Sequence, residues 1–173
     1  TRAAETASGA GTSDDFNDSE GVLYAEIAAL ANDGTYRAIS ISDGSYSNTC
    51  LFRYGGSSNR TNVLVTSSNS TIFDNNTTSL NILNFNKIVL KYKQNDFSFW
   101  VNGFEVATIT SGNTPSGLSQ LQFADSDNTV STFYGRTKEV AVFKTALTDS
   151  ELESLSSWDS FSDMATGQEY SIR

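Results

Sequence analysis

Residues Lys87 to Thr110, KIVLKYKQNDFSFWVNGFEVATIT, leave this chain few folds to choose from. Ile88, Leu90 and Tyr92 fall on one face of the run Lys87–Lys93, and Phe97, Phe99 and Val101 fall on one face of Asp96–Val101. In Phe104–Ile109, Phe104 and Val106 alternate with Glu105 and Ala107. Successive strand side chains point to opposite sides, so the three runs predict one continuous apolar sheet face. Asn102-Gly103 supplies a two-residue turn in which both positions want positive φ, and Gln94-Asn95 serves for the earlier turn.

A second stretch belongs with the first. Lys138–Phe143 reads as a strand, with Val140 and Val142 facing one way and Ala141 and Phe143 the other. Apolar residues on both sides predict a strand covered on both faces. A short helix, Asp149–Ser157, follows. Thr148 is its N-cap and Glu151 completes a capping box, while Leu147 and Leu152 fit a hydrophobic staple. Leu152, Leu155 and Trp158 then form one stripe at helical spacing.

Elsewhere the chain is a series of short alternating runs punctuated by turns such as Asn32-Asp33-Gly34 and Ser42-Asp43-Gly44-Ser45. Strands are predicted at Tyr36–Ser42, Thr49–Tyr54, Asn62–Ser67, Ser70–Phe73 and Gln120–Phe123. Weaker alternation fits strands at Ala3–Thr6, Thr129–Tyr134 and Glu169–Ile172. Gly21–Ala29 is the contested element: its Ala, Leu and Glu favour helix by propensity. Leu23, Ala25 and Ile27 nevertheless alternate with Tyr24 and Glu26, and we read a strand. No internal repeat or linker divides the chain, so residues 1–173 are read as a single domain, the size prior for 173 residues agreeing. Many short strands with one short helix predict an all-β sandwich.

The two stretches resemble the second half of a concanavalin A-like (laminin-G-like) jelly roll. The carriers are Trp100-Val101-Asn102-Gly103 at the hairpin turn and the Ala146–Leu152 segment ALTDSEL. The segments FNDSEGVLYAEIAALANDGTYRAISISDGS and FNKIVLKYKQNDFSFWVNGFEVAT are similar to lectin-like domains of bacteriophage tail and structural proteins. The resemblance implies two antiparallel sheets packed face to face with one short C-terminal helix. It also implies a non-catalytic carbohydrate-binding or adhesion domain on a virion or other extracellular surface, recognising bacterial cell-surface polysaccharide. Two other roles stay open: an accessory sugar-binding module of a secreted polysaccharide-degrading enzyme, and a ligand-free structural decoration domain. Proteins of this kind commonly form homo-oligomers, here through the parent protein, since the chain has no coiled-coil heptads.

Composition narrows the chemistry. The chain contains no His, which removes Ser–His–Asp and Cys–His catalysis and His-ligated metals. The paired acids of the laminarinase-like branch, Glu-x-Asp-x-x-Glu, are also missing, and lyases of this fold need a His beside a Tyr. The expectation is therefore no enzyme activity. A formal net charge of −9 argues against nucleic acid or an anionic membrane as partner. No apolar run is long enough for membrane insertion. Cys50 is single, so no internal disulfide can form, and it reads as a core residue. The start at Thr1, without a Met, fits a processed or excised piece.

Binding candidates are aromatics and arginines. Trp100 shares a strand face with Asp96, Ser98 and Asn102, where an indole could stack on a sugar ring; the alternative is that it packs beneath a loop or another sheet. Tyr36, Tyr46 and Tyr54 flank turns, with Arg37, Arg53 and Arg60 nearby; the alternative is ordinary strand filling and surface charge. Asp125, Asp127 and Asn128 place oxygen donors in one loop and nominate Ca²⁺, against a plain solvated acidic turn. Asp14, Asp15 and Asp18 form a second acidic cluster. Asn17, Asn59, Asn69, Asn75 and Asn76 head glycosylation triplets, which matter only in a eukaryotic secretory route.

Overall fold

A computed structural model describes residues 10–126 and 130–157. Ten strands run in chain order: β1 Glu20–Ala29, β2 Arg37–Ser42, β3 Thr49–Tyr54, β4 Thr61–Ser67, β5 Ser70–Thr77, β6 Asn86–Lys93, β7 Asp96–Val101, β8 Phe104–Ile109, β9 Gln120–Gln122 and β10 Gly135–Phe143. One helix, α1, spans Asp149–Ser157. The strands form two five-stranded sheets, β10-β1-β6-β7-β8 and β5-β4-β3-β2-β9, and every strand pairing within them is antiparallel. This is the expected sandwich.

The double hairpin folds as its alternation predicts. Asn102 and Gly103 sit at φ +50° and +85°, the mirror-image turn that joins β7 to β8. The contested stretch is a strand because its partners overrule its propensity. β1 is hydrogen-bonded on both edges, to β6 and β10. Leu23, Ala25, Ile27 and Ala29 enter the main core while Val22 and Tyr24 enter a second one, so a helix would forfeit burial on both faces. Gly21 is needed here for space: a Cβ would lie 2.5 Å from the Tyr92 hydroxyl and 2.7 Å from the Phe143 carbonyl oxygen.

The main core fills the space between the sheets with Ile39, Ile41, Cys50, Phe52, Val63 and Val65 from one side and Ile88, Leu90, Phe97 and Phe99 from the other. The second core lies on the outer face of the β1-containing sheet, where α1 lays Leu152 on Val22, Tyr24, Val89 and Trp100. The helix starts as its sequence foretells: the Thr148 amide donates to Glu151 Oε2 (2.7 Å), and the Glu151 amide donates back to Thr148 Oγ1. The Thr148 hydroxyl, which also donates to Glu151 Oε2, and then the Thr148 amide hold the Glu151 carboxyl below its ordinary value. Lys91 ties the helix down by contacting Asp149 (3.3 Å) and Asp96 (2.8 Å). Burial pulls the Lys91 ammonium downward, but the two carboxylates outweigh it and raise its pKa.

Several expectations need correction or a boundary. Phe104 is not on the apolar face; it is 76% exposed. A bulge between Phe99 and Trp100 in the β7–β8 ladder pairs Phe99 with Ala107 but Trp100 with Glu105, which breaks the alternation the sequence implies. Between Val130 and Tyr134 there is no named strand, only a parallel bridge from Thr132 to Ala38. β10 is an edge strand, half covered rather than buried on both faces. Ala3–Thr6, Glu169–Ile172, Trp158 and Thr129 lie outside the described residues.

Candidate functional site

The outer face of the β2-containing sheet carries the most suggestive group. On β2, Ile39 and Ile41 point to the core, so Ala38 and Tyr36 point outward. On β3, Cys50, Phe52 and Tyr54 point inward, so Leu51 and Arg53 point outward. Arg37 pairs with Tyr54, which leaves Tyr36 and Arg53 as diagonal neighbours on one surface. The Arg53 guanidinium lies over the Tyr36 ring, 4.6 Å from its centroid. Its Nε donates to Asn62 Oδ1 (2.9 Å), and the Asn62 amide nitrogen donates to Asp74 Oδ1 (2.7 Å). Asn62 is itself fully buried and also donates to the Asn75 carbonyl. The row Tyr36, Arg53, Asn62, Asp74 is thus wired from the side: Tyr36 is 40% exposed and Asp74 exposed, Arg53 is half-buried, and Asn62 lies buried between them.

Local turns set this row. Asp33 accepts a bidentate pair from Arg37, Nη1 to Oδ1 at 2.9 Å and Nη2 to Oδ2 at 3.0 Å, and Arg37 also donates to the Thr35 carbonyl. The Asp33 carboxyl is held well below the usual range, by the Arg37 hydrogen bonds first and the Thr35 amide second. On the far side, Gly55 and Gly56 turn at φ +116° and +81°. Arg60 donates to the Gly55 carbonyl, and a side chain at Gly56 would run into both Arg60 Nη1 and the Tyr36 hydroxyl. Asn32 and Asn59 clamp the two turns together reciprocally.

The structure brings together only part of the sequence-predicted set. Tyr36 and Arg53 meet; Arg60 joins them. Tyr46 sits in the Ser42–Thr49 connection at the opposite end of β3, its carbonyl accepting from Thr66, and so stands apart. Tyr54 is a core residue, its hydroxyl donating to the Ile27 carbonyl and its pKa raised by burial. Arg37 is 5% exposed and spent on Asp33. Trp100 is 6% exposed under α1, with its indole N–H donated to Ser98 Oγ, so neither ring face is open to a sugar. Asn62 was not singled out from sequence; a lone amide facing away from Val63 and Val65 in an apolar strand was the available signal.

Asp125 is the one described member of the calcium trio; Asp127 and Asn128 lie outside the described residues. Asp125 is 1% exposed, and its Oδ1 accepts from the Val130 amide. Its Oδ2 is buried without a hydrogen-bond partner among the described residues. The segment is pinned across β2, because Ser40 and Ser42 donate to the carbonyls of Ala124 and Ser126, and Thr49 bonds the Ser126 hydroxyl. Of the second acidic cluster, Asp15 caps Thr12, and Asp18 accepts from the amides of Gly117 and Leu118. Burial raises the Cys50 thiol pKa, consistent with an inert core residue.

The profile of the Concanavalin A-like lectin/glucanases superfamily matches residues 9–153. No curated protein sequence matches the chain. Among solved structures, the Ruminococcus gnavus IT-sialidase CBM40 bound to alpha2,3 sialyllactose superposes with a TM-score of 0.66 at 13% identity, covering 81% of this chain and 84% of that one. The leech intramolecular trans-sialidase, complexed with 2,7-anhydro-Neu5Ac, gives 0.67 at 14% identity over 90% of this chain, which spans only 27% of that enzyme. Domains LG4-5 of the mouse laminin alpha1 chain give 0.60 at 9% identity, covering 84% of this chain and 40% of that one. At such identities these likenesses establish the fold.

Proposed function

The chain belongs to the Concanavalin A-like lectin/glucanases superfamily, and on that premise we propose that it is a glycan-binding domain that does not cleave its ligand. The observation that carries this reading is the Tyr36–Arg53–Asn62–Asp74 row, an exposed aromatic ring and carboxylate joined by hydrogen-bonding groups at one end of the sheet. An aromatic face takes the C–H side of a sugar, and the guanidinium and carboxylate take its hydroxyls. The absence of His supports the non-catalytic half of the reading.

The setting we propose is an extracellular or virion surface, where the domain recognises bacterial polysaccharide as part of a phage tail protein. The segments of residues 16–45 and 85–108 quoted above support it. The second reading is an accessory module of a secreted sugar-active enzyme, favoured by the CBM40 likeness. Calcium is proposed to act through Asp125, because an unpartnered buried carboxylate oxygen is costly and a hard cation would relieve it. A glycan array run with calcium and with chelator tests the reading. Saturable binding of one glycan class, without turnover, is expected; release of sugar products or no binding at all would overturn it.

A further inference from the structure

Arg37, Lys91, Lys93 and Lys138 each face a carboxylate within 3.3 Å. Arg53 and Arg60 have no carboxylate partner among the described residues, a condition shared with Lys87, Arg136 and Lys144, of which Arg136 and Lys144 are held by backbone carbonyls. Arg53 uses only Nε, on an uncharged amide, and Arg60 uses one Nη1 contact, on a backbone carbonyl. Four guanidinium donor groups are spoken for by nothing described: both Arg53 amino groups, Arg60 Nε and Arg60 Nη2. In a protein of net charge −9, with 20 acidic residues available as partners, leaving two half-buried arginines side by side is not the easiest arrangement. The Tyr36 hydroxyl, which also has no hydrogen-bond partner among the described residues, points into the same place over Gly56.

Resting on the glycan-binding reading, we propose that this row recognises an acidic glycan, with the sugar's carboxylate seated between Arg53 and Arg60 and its ring against Tyr36. A carboxylate is planar with two acceptor oxygens, and free amino groups on a guanidinium match it in a fork. The Tyr36 hydroxyl donates a further bond. Asp74, on the other side of Asn62, has one oxygen held by that amide and accepts sugar hydroxyls with the other. The same geometry limits the ligand class. Asp74 and the acidic body repel a densely charged chain, whose neighbouring charges fall within the roughly 8 Å screening length at physiological salt. A glycan with one well-separated carboxylate escapes that repulsion, whereas a heavily sulfated polymer does not.

The test is calorimetric titration of the intact chain with 3′-sialyllactose and with a galacturonic acid oligosaccharide. Each is run beside its carboxyl-reduced form, with lactose as neutral control and heparin oligosaccharide as sulfated control. At least one carboxylated sugar is expected to bind about tenfold or more tightly than its reduced form, since charge-assisted bonds are lost. R53Q and R60Q should each weaken that ligand to a similar degree, R60Q leaving the thermal midpoint in place, while R53K, which keeps charge without the fork, recovers part of the affinity. Equal binding of carboxylated and reduced sugars overturns the acidic-ligand inference and leaves glycan binding intact. Heparin binding as tight as the carboxylated sugars overturns the carboxylate assignment. If a broad array shows no glycan bound at all, the functional reading falls together with it.

Discussion

Both sheets of this sandwich carry an aromatic residue on their outward face, and the two meet opposite fates. Trp100 is sealed under α1 by Leu152, beside Val22, Tyr24 and Val89. Tyr36 stays 40% exposed, braced by Arg53. The difference lies in what each face offers its surroundings. Around Trp100, Val22 and Tyr24 of β1 and Val89 of β6 form an apolar patch, so the apolar side of an amphipathic helix gains by lying on it. The Tyr36 ring is set beside Arg53 and Asp74, which an apolar cover would strip of water. An outward aromatic therefore marks a docking site for the chain's own helix or for a ligand according to the polarity of the strands beside it.

The sharpest way to break this comparison is to truncate both rings. Trp100→Ala should cost about 3–5 kcal/mol, as large buried aromatics do, read by urea denaturation. If it costs less than about 1 kcal/mol, α1 is not held by that contact. Thr148→Ala removes the capping box and should cost about 1 kcal/mol, loosening the helix without touching the Tyr36 face. Tyr36→Ala should move stability by no more than about 0.5 kcal/mol, as surface changes do, yet abolish glycan binding. A Tyr36→Ala protein that keeps full affinity would remove this face from the functional account. The finest probe is acid. The Asp33 carboxyl is depressed from its ordinary 3.8, so its contribution is fully present above that pH and is lost as pH falls below it toward the folded value. NMR signals of Tyr36 and Arg37 should accordingly hold steady from neutrality to about pH 4 and shift only below it.

What sequence could announce was local. The double hairpin shows itself through alternation and an Asn-Gly turn, and the helix through its capping box, because each signal closes within a few residues. β1 was harder, since its composition leans toward helix and only the neighbouring strands settle it. The β7–β8 bulge left no mark in the pattern, so Phe104 was assigned inward when it is exposed. The site was readable only in part for the same reason. Tyr36 and Arg53 become neighbours through the register that pairs Arg37 with Tyr54. The fate of Trp100 depends on a helix fifty residues downstream. Arginines near tyrosines were visible in the sequence; which of them were already committed to a partner, as Arg37 is to Asp33, was not.

The Arg37–Asp33 fork closes inside its own turn and draws nothing from the sheet except the one residue that begins β2. The tip it encloses, residues 34–36, is braced by that fork and by the neighbouring turn, whose Gly56 amide donates to the Gly34 carbonyl. Exchanging the ring at its end, from tyrosine to tryptophan or histidine, would retune what the surface grips while the sandwich goes on folding unchanged.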